Sequence, residues 1–159
     1  MTLKRAYVLA SFLVGLVSPV QAITSQVGSP YDFGVGVEMG QPFGVTAKYW
    51  LTPSLAVDGA SGYHWNHNFD VHADYLWHSL SSFDISSGRL PFYAGLGARI
   101  LLGDSSQLGM RLPIGASYLF SSSPLETFVE LAPIIRVTSG FGLDLDGLVG
   151  VRFYINYLK

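Results

Sequence analysis

The stretch Phe69-Asp70-Val71-His72-Ala73-Asp74-Tyr75-Leu76-Trp77-His78 alternates without a break. Phe69, Val71, Ala73, Tyr75 and Trp77 fall on one face; Asp70, His72, Asp74 and His78 fall on the other, with Leu76 the one apolar residue among them. Successive side chains of an extended chain point to opposite sides, so a period of two over this length predicts a strand with one apolar and one polar face. The polar face is ionisable and the apolar face carries bulky and aromatic groups, a division that decides which side meets water.

The same alternation recurs on both sides of this segment. Asp32 to Met39 sets Phe33, Val35, Val37 and Met39 against Gly34, Gly36 and Glu38; Val45 to Leu51 sets Val45, Ala47, Tyr49 and Leu51 against Thr46, Lys48 and Trp50. Leu55 to Tyr63, Phe92 to Leu102, Leu108 to Phe120, Leu125 to Val137 and Leu143 to Tyr157 follow the pattern, which predicts eight strands joined by turn-rich segments. Every charged or His residue inside these strands lies on the polar face. That face is also the small one: Gly34, Gly36, Ala56, Ala60, Gly62, Gly95, Gly97, Gly109, Gly115 and Gly150 crowd it. A soluble barrel buries its apolar face and needs an outer face charged enough for water. Here small and charged residues fit a narrow interior, and the bulky apolar face fits lipid. Only helices and closed barrels satisfy every backbone group within a bilayer, so the expectation is an all-β, eight-stranded antiparallel up-and-down transmembrane β-barrel.

Composition agrees with this reading and excludes several others. The 159 residues are 49 % apolar and only 13 % charged, about half the usual charged share. No stretch beyond the N-terminus is long and apolar enough for a spanning helix. Nine Lys and Arg against eleven Asp and Glu leave no basic field for nucleic acid. The absence of Cys removes disulfides, thiol catalysis and Cys-ligated zinc. Lys4 and Arg5, an apolar run from Ala6 to Val17, and Val20-Gln21-Ala22 read as a secretory signal peptide over residues 1–22 cleaved after Ala22, leaving a barrel domain over 23–159. The aromatics sort by strand end, with Tyr31, Phe33, Tyr49, Tyr75, Trp77, Phe92, Tyr93, Tyr118, Phe120, Phe153 and Tyr157 at one interface. Phe43, Tyr63, Trp65, Phe69 and Phe141 form a thinner set at the other, as in the girdles of membrane barrels.

With segments such as Ala47-Lys48-Tyr49-Trp50-Leu51, His72-Ala73-Asp74-Tyr75-Leu76-Trp77-His78 and Leu90-Pro91-Phe92-Tyr93-Ala94-Gly95, residues 31–157 resemble the small eight-stranded bacterial outer-membrane barrels, the class of the OmpA transmembrane domain and OmpX, in a poorly characterised branch. The resemblance implies a cell outer-membrane location, lipid contact, and passage through periplasmic chaperones and the barrel assembly machinery. Three features depart from the pattern. Pro113 and Pro133 fall inside strands, which predicts bulges or truncated pairing. Ser79 to Pro91 is long for a periplasmic turn, and Leu158 and Lys159 follow Tyr157 where such barrels usually end on an aromatic residue.

The inward face then holds Glu38, Lys48, Asp58, Asp70, His72, Asp74, Arg99, Arg111, Glu126, Glu130, Arg136, Asp144, Asp146 and Arg152, with His64 and His78 beside them. Eight strands enclose a space just wide enough for side chains to fill, so these groups are expected to pair across it as a structural charge network. Hairpin symmetry about Pro53 sets Lys48 opposite Asp58, and symmetry about Gly140 sets Arg136 opposite Asp144. Symmetry about residue 105 sets Arg99 against Arg111, a repulsion that Asp70, Asp74 or Glu130 would have to relieve. The same groups suggest a narrow ion or solute channel as a second reading. A third is a lipid A-modifying barrel enzyme, but His78 and Ser79 are adjacent and point to opposite faces, and no strand carries a His-x-Ser. His64, His67 and Asp70 are of metal-ligating type, yet scattered ligands at an interface read first as polar rim residues. The expectation is a monomeric barrel with a structural or accessory role, without catalytic residues, cofactor, metal or nucleic-acid partner.

Overall fold

The computed structural model describes residues 33–155 apart from 66, 80–82, 86–87, 104–105 and 139, with backbone alone at 83–85. The proposed signal peptide, Tyr31 and Tyr157 lie outside the described residues. Eleven strands are present among the described residues: β1 (Phe33–Gly40), β2 (Phe43–Thr52), β3 (Leu55–Tyr63), β4 (Phe69–His78), β5 (Phe83–Ile85), β6 (Gly88–Leu90), β7 (Phe92–Leu102), β8 (Gln107–Arg111), β9 (Ile114–Phe120), β10 (Leu125–Arg136) and β11 (Gly142–Tyr154). Around the ring β1, β2, β3, β4 and β7 pair antiparallel in turn, β7 pairs with β8 and β9, both of these pair with β10, β10 pairs with β11, and β1 pairs with β11 to close it. Closure leaves the ring without a free edge, so its ladders satisfy the backbone from within. The fold is an eight-staved up-and-down barrel, as the alternation predicted.

Two staves are built from more than one strand. β8 and β9 are halves of a single stave separated by Leu112 and Pro113, and both halves pair with β7 on one side and β10 on the other. The register is the same above and below the break: Arg111 faces Ile134 and Ile114 faces Leu131. No bulge therefore forms at either proline; only the pairing is interrupted. The reason lies in which ladder bonds each proline forfeits. Leu112 N donates to Pro133 O at 2.9 Å and Gly95 N donates to Pro113 O at 2.8 Å, so each proline keeps its carbonyl bond and lacks only the reciprocal donor.

The segment from Ser79 to Pro91, read from sequence as a long turn, instead carries the β5–β6 hairpin. Phe83 pairs with Leu90 and Ile85 with Gly88, while β6 continues the β7 stave and pairs with β9 through Gly88–Phe120 and Arg89–Leu119. Strands of three residues are too short for periodicity to reveal. The hairpin prolongs the end of the barrel at which the described chain starts and stops, called here the near end. The connections β1–β2, β3–β4, β7–β8 and β10–β11 lie at the far end.

Facing follows parity throughout β1–β4 and β7–β11. Val35, Val37, Val45, Ile100, Ile114, Val129, Leu131, Leu145 and Val149 are exposed on the outside, and every charged side chain of these strands points inward. Phe33, Trp77, Phe92 and Phe153 ring the near end; Phe43, Tyr63, Trp65 and Phe141 ring the far end. Tyr93 is the exception to the predicted girdle: it is buried in the lumen, in the same parity as Gly95, Gly97 and Arg99. The inward glycines make room for these groups. A Cβ at Gly97 would collide with the carboxylate of Asp74 and with the backbone of Ala73, and one at Gly36 would strike the Val151 carbonyl.

Candidate functional site: the charged lumen

At the near end of the lumen aromatic rings gather around one carboxylate. Glu126 accepts from Lys48 Nζ (2.7 Å) and Ser117 Oγ (2.6 Å) on Oε1 and from Tyr154 Oη (2.6 Å) on Oε2. Trp50 Nε1 donates to the same Tyr154 hydroxyl at 2.9 Å. The Lys48 ammonium also lies 2.9 Å from His78 Nε2 and 4.5 Å from the centre of the Trp50 ring. An ammonium has no acceptor, so His78 Nε2 must accept and its proton sits on Nδ1. Trp50, Ala56 and Tyr154 with Leu119 form the apolar floor beneath this group.

At mid-height two arginines organise the interior. Arg152 Nη2 donates to Asp58 Oδ2 and to Thr46 Oγ1, each at 2.8 Å, and its guanidinium lies 3.9 Å from the centre of the Phe128 ring. Arg111, fully buried, donates to Asp74 through Nη1 and to Glu130 Oε1 at 2.5 Å through Nη2; Tyr93 Oη holds the other Glu130 oxygen at 2.8 Å. The planar guanidinium reaches two carboxylates at once, which a lysine at this position would do poorly.

The far end gathers around Arg99. Its Nη1 donates to both oxygens of Asp146 (3.2 and 3.0 Å), its Nη2 to Asp144 Oδ2 (3.0 Å), and its Nε lies 3.8 Å from Asp70 Oδ2. Asp70 lies between two imidazoles, His64 Nε2 at 3.2 Å and His72 Nδ1 at 2.9 Å. Arg136 Nε approaches Asp144 Oδ2 at 3.3 Å as an ion pair without hydrogen-bond geometry.

All fourteen residues assigned to the interior thus lie on the inner face. Thirteen meet a partner there, while Glu38, 1 % exposed, joins no ion pair among the described residues. The individual partners differ from those hairpin symmetry predicts. Lys48 and Asp58 do stand opposite each other, but each pairs elsewhere, with Glu126 and Arg152. Arg136 and Asp144 do pair, though diagonally, because Arg136 faces Gly142 and Asp144 faces Ile134. Arg99 faces Gly109 and Arg111 faces Gly97, so the two guanidinium groups are offset and Asp74, Glu130, Asp144 and Asp146 neutralise them. The curved wall sends long side chains toward the axis, where Lys48, Asp58 and Arg99 meet partners on non-adjacent strands. Sequence reasoning misses the lumenal roles of Tyr93, Phe128 and Tyr154, setting Tyr93 in the outer girdle, while it places Ser117 on the inner face without a role.

The strand order and the inward-facing charges define a small ring-shaped β-barrel with a charged lumen. In comparison with known proteins, the chain is similar to the N-terminal β-barrel domain of Pseudomonas aeruginosa OprF, with 15 % identity and a TM-score of 0.56, covering 80 % of this chain and 100 % of that one. At that identity the likeness shows the fold alone, a small β-barrel. No family model matches the sequence, and no curated protein matches it.

Proposed function

We propose that this chain is an outer-membrane β-barrel protein, embedded through its apolar outer face, with a structural or accessory role and a closed, salt-bridged lumen. The observation that carries the reading is the outer face of β1–β4 and β7–β11. It presents exposed Val, Ile, Leu, Met and aromatic side chains over the height of the ring and no charged residue. Water-exposed apolar patches on a soluble monomer rarely exceed a few hundred Å², whereas a continuous apolar belt edged by aromatics is what hydrocarbon and its interfaces select. Its partners in this reading are outer-membrane lipid and, during biogenesis, the chaperones and assembly machinery that handle such barrels; the folded protein is a monomer. The closed lumen is supported by the near-end cluster of Trp50, Tyr154, Lys48 and Glu126, all buried and mutually bonded. A non-enzymatic role is supported by Ser117, whose hydroxyl donates to Glu126 and not to an imidazole that would activate it.

The test is fractionation followed by gel migration. The protein should sediment with the outer membrane, resist alkaline extraction, and migrate differently when boiled and unboiled. Recovery in a soluble fraction, or identical migration, overturns the reading. Planar-bilayer recording separates the closed lumen from a narrow channel: stable ohmic openings would establish conduction.

A further inference from the structure

The far mouth of the lumen brings together three ligating side chains from two walls of the barrel. The β3–β4 connection is tight: His64 N donates to Asn68 O and His67 N to His64 O, each at 2.9 Å, and His67 adopts a φ of 64°. That turn leaves His67 exposed and folds the His64 imidazole inward onto Asp70, the second residue of β4. From the other wall β11 presents Asp146. One ligand atom from each of His64, Asp70 and Asp146 lies within 4.8 Å of the others.

We propose that His64, Asp70 and Asp146 bind a divalent transition-metal ion of the zinc or nickel type at the far mouth. One imidazole nitrogen and two carboxylate oxygens, completed by water, form a borderline donor set suited to such ions. Ligand atoms about 2.1 Å from a tetrahedral ion are about 3.4 Å apart. His64 Nε2 and Asp70 Oδ2 already stand 3.2 Å apart, so only Asp146 has to close in. His72 Nδ1 holds Asp70 Oδ1 at 2.9 Å, a contact that orients the carboxylate and turns Oδ2, which His64 Nε2 and Arg99 Nε approach at 3.2 and 3.8 Å, toward the place of the ion.

Charge and access favour a cation here. Asp70, Asp144 and Asp146 face the guanidinium groups of Arg99 and Arg136, three negative charges against two positive. The Arg136 and Asp144 side chains are 29 % and 33 % exposed, which opens the mouth, while Asp70 and Asp146 lie just below at 0 % and 3 %. Arg99 is the built-in competitor, because its Nη1 occupies both oxygens of Asp146. Binding requires Asp146 to release one oxygen to the ion while Arg99 keeps Asp144.

The experiment is calorimetric titration of the untagged, folded full chain in detergent with Zn²⁺, and separately with Ni²⁺. One ion per barrel is expected. His64→Ala and Asp146→Asn should weaken binding at least about tenfold, His67→Ala should leave it unchanged, and Arg99→Gln should tighten it severalfold. No binding at about 1 mM ion, equal loss in His67→Ala, or insensitivity to both His64→Ala and Asp146→Asn overturns the site. Should a variant fail to fold, imidazole NMR resonances of the native chain decide: Zn²⁺ should shift those of His64 and leave those of His67, and the reverse overturns the proposal.

Discussion

Lys48 and Asp58 face each other directly on β2 and β3, yet Lys48 bonds Glu126 across the lumen at 2.7 Å and Asp58 bonds Arg152 at 2.8 Å. Register and ion pairing are therefore separate properties of this barrel. The wall fixes where each backbone sits, and the crowded axis fixes which charges meet.

The first prediction concerns that exchange. Glu126→Gln keeps the shape but leaves the Lys48 ammonium without its carboxylate in a fully buried place. Breaking a buried pair in this way costs about 3–5 kcal/mol. A double-mutant cycle should give strong coupling for Lys48 with Glu126 and weak coupling for Lys48 with Asp58, each measured from urea unfolding in lipid vesicles. Stronger coupling to Asp58 would show that the register pair, not the cross-lumen pair, holds the charge.

Tyr154 links the floor to the charge above it, accepting from Trp50 and donating to Glu126. Tyr154→Phe strands a buried indole N–H and removes one donor from the carboxylate, a loss of about 1–3 kcal/mol. Fluorescence of Trp50 should shift in the folded protein, and the unfolding midpoint should fall with the m-value unchanged. An unaltered midpoint would mean that water replaces the hydroxyl at no cost.

Pro113 offers a change in the opposite direction. Gly95 N already bonds Pro113 O, and the register on both sides of the proline is intact. An alanine there would supply the missing reciprocal donor to the Gly95 carbonyl without moving the wall, a gain of up to about 1 kcal/mol. The gain is offset in part because proline restricts the unfolded chain. Pro113→Ala should thus be neutral to mildly stabilising in equilibrium refolding. A loss above about 1 kcal/mol would show that the interruption at Leu112 and Pro113 is required by the fold.

How much of this was legible in the sequence follows from what each signal encodes. The strands, their facing and their closure into a barrel were readable because parity is a local property: the alternation over Phe69–His78 needs no knowledge of any other segment. The inward facing of the charged residues was readable for the same reason, down to Glu38, which joins no ion pair among the described residues, whereas Tyr93, set in the girdle by its place at a strand end, is buried in the lumen. The partners were not readable. Symmetry about residue 105 misplaces the position opposite Arg99 by two residues, since Arg99 faces Gly109 and not Arg111, and even a correct register leaves Lys48 and Asp58 unpaired with each other. The approach of Asp146 to His64 and Asp70 depends on how the closed ring sets β11 across the mouth from the β3–β4 turn. No local pattern carries that information; His67, the residue nearest in sequence, is turned outward by a single left-handed φ.

The last prediction tests the outer face. Val129 on β10 sits beside Val149 of β11, about midway along the wall, and is 52 % exposed. In the proposed orientation it lies near the bilayer midplane, where an arginine on the lipid face costs about 2–4 kcal/mol, against about 0–1 near an interface. Val129→Arg should therefore lose that amount when unfolding is measured in lipid vesicles, while Leu143→Arg, at the far end and 70 % exposed, should lose little. A water-facing surface would treat both substitutions alike, within about 0.5 kcal/mol of the parent. Equal and small effects in vesicles would thus remove the apolar belt from the membrane, whereas a steep dependence on height along the wall would locate the hydrocarbon around it.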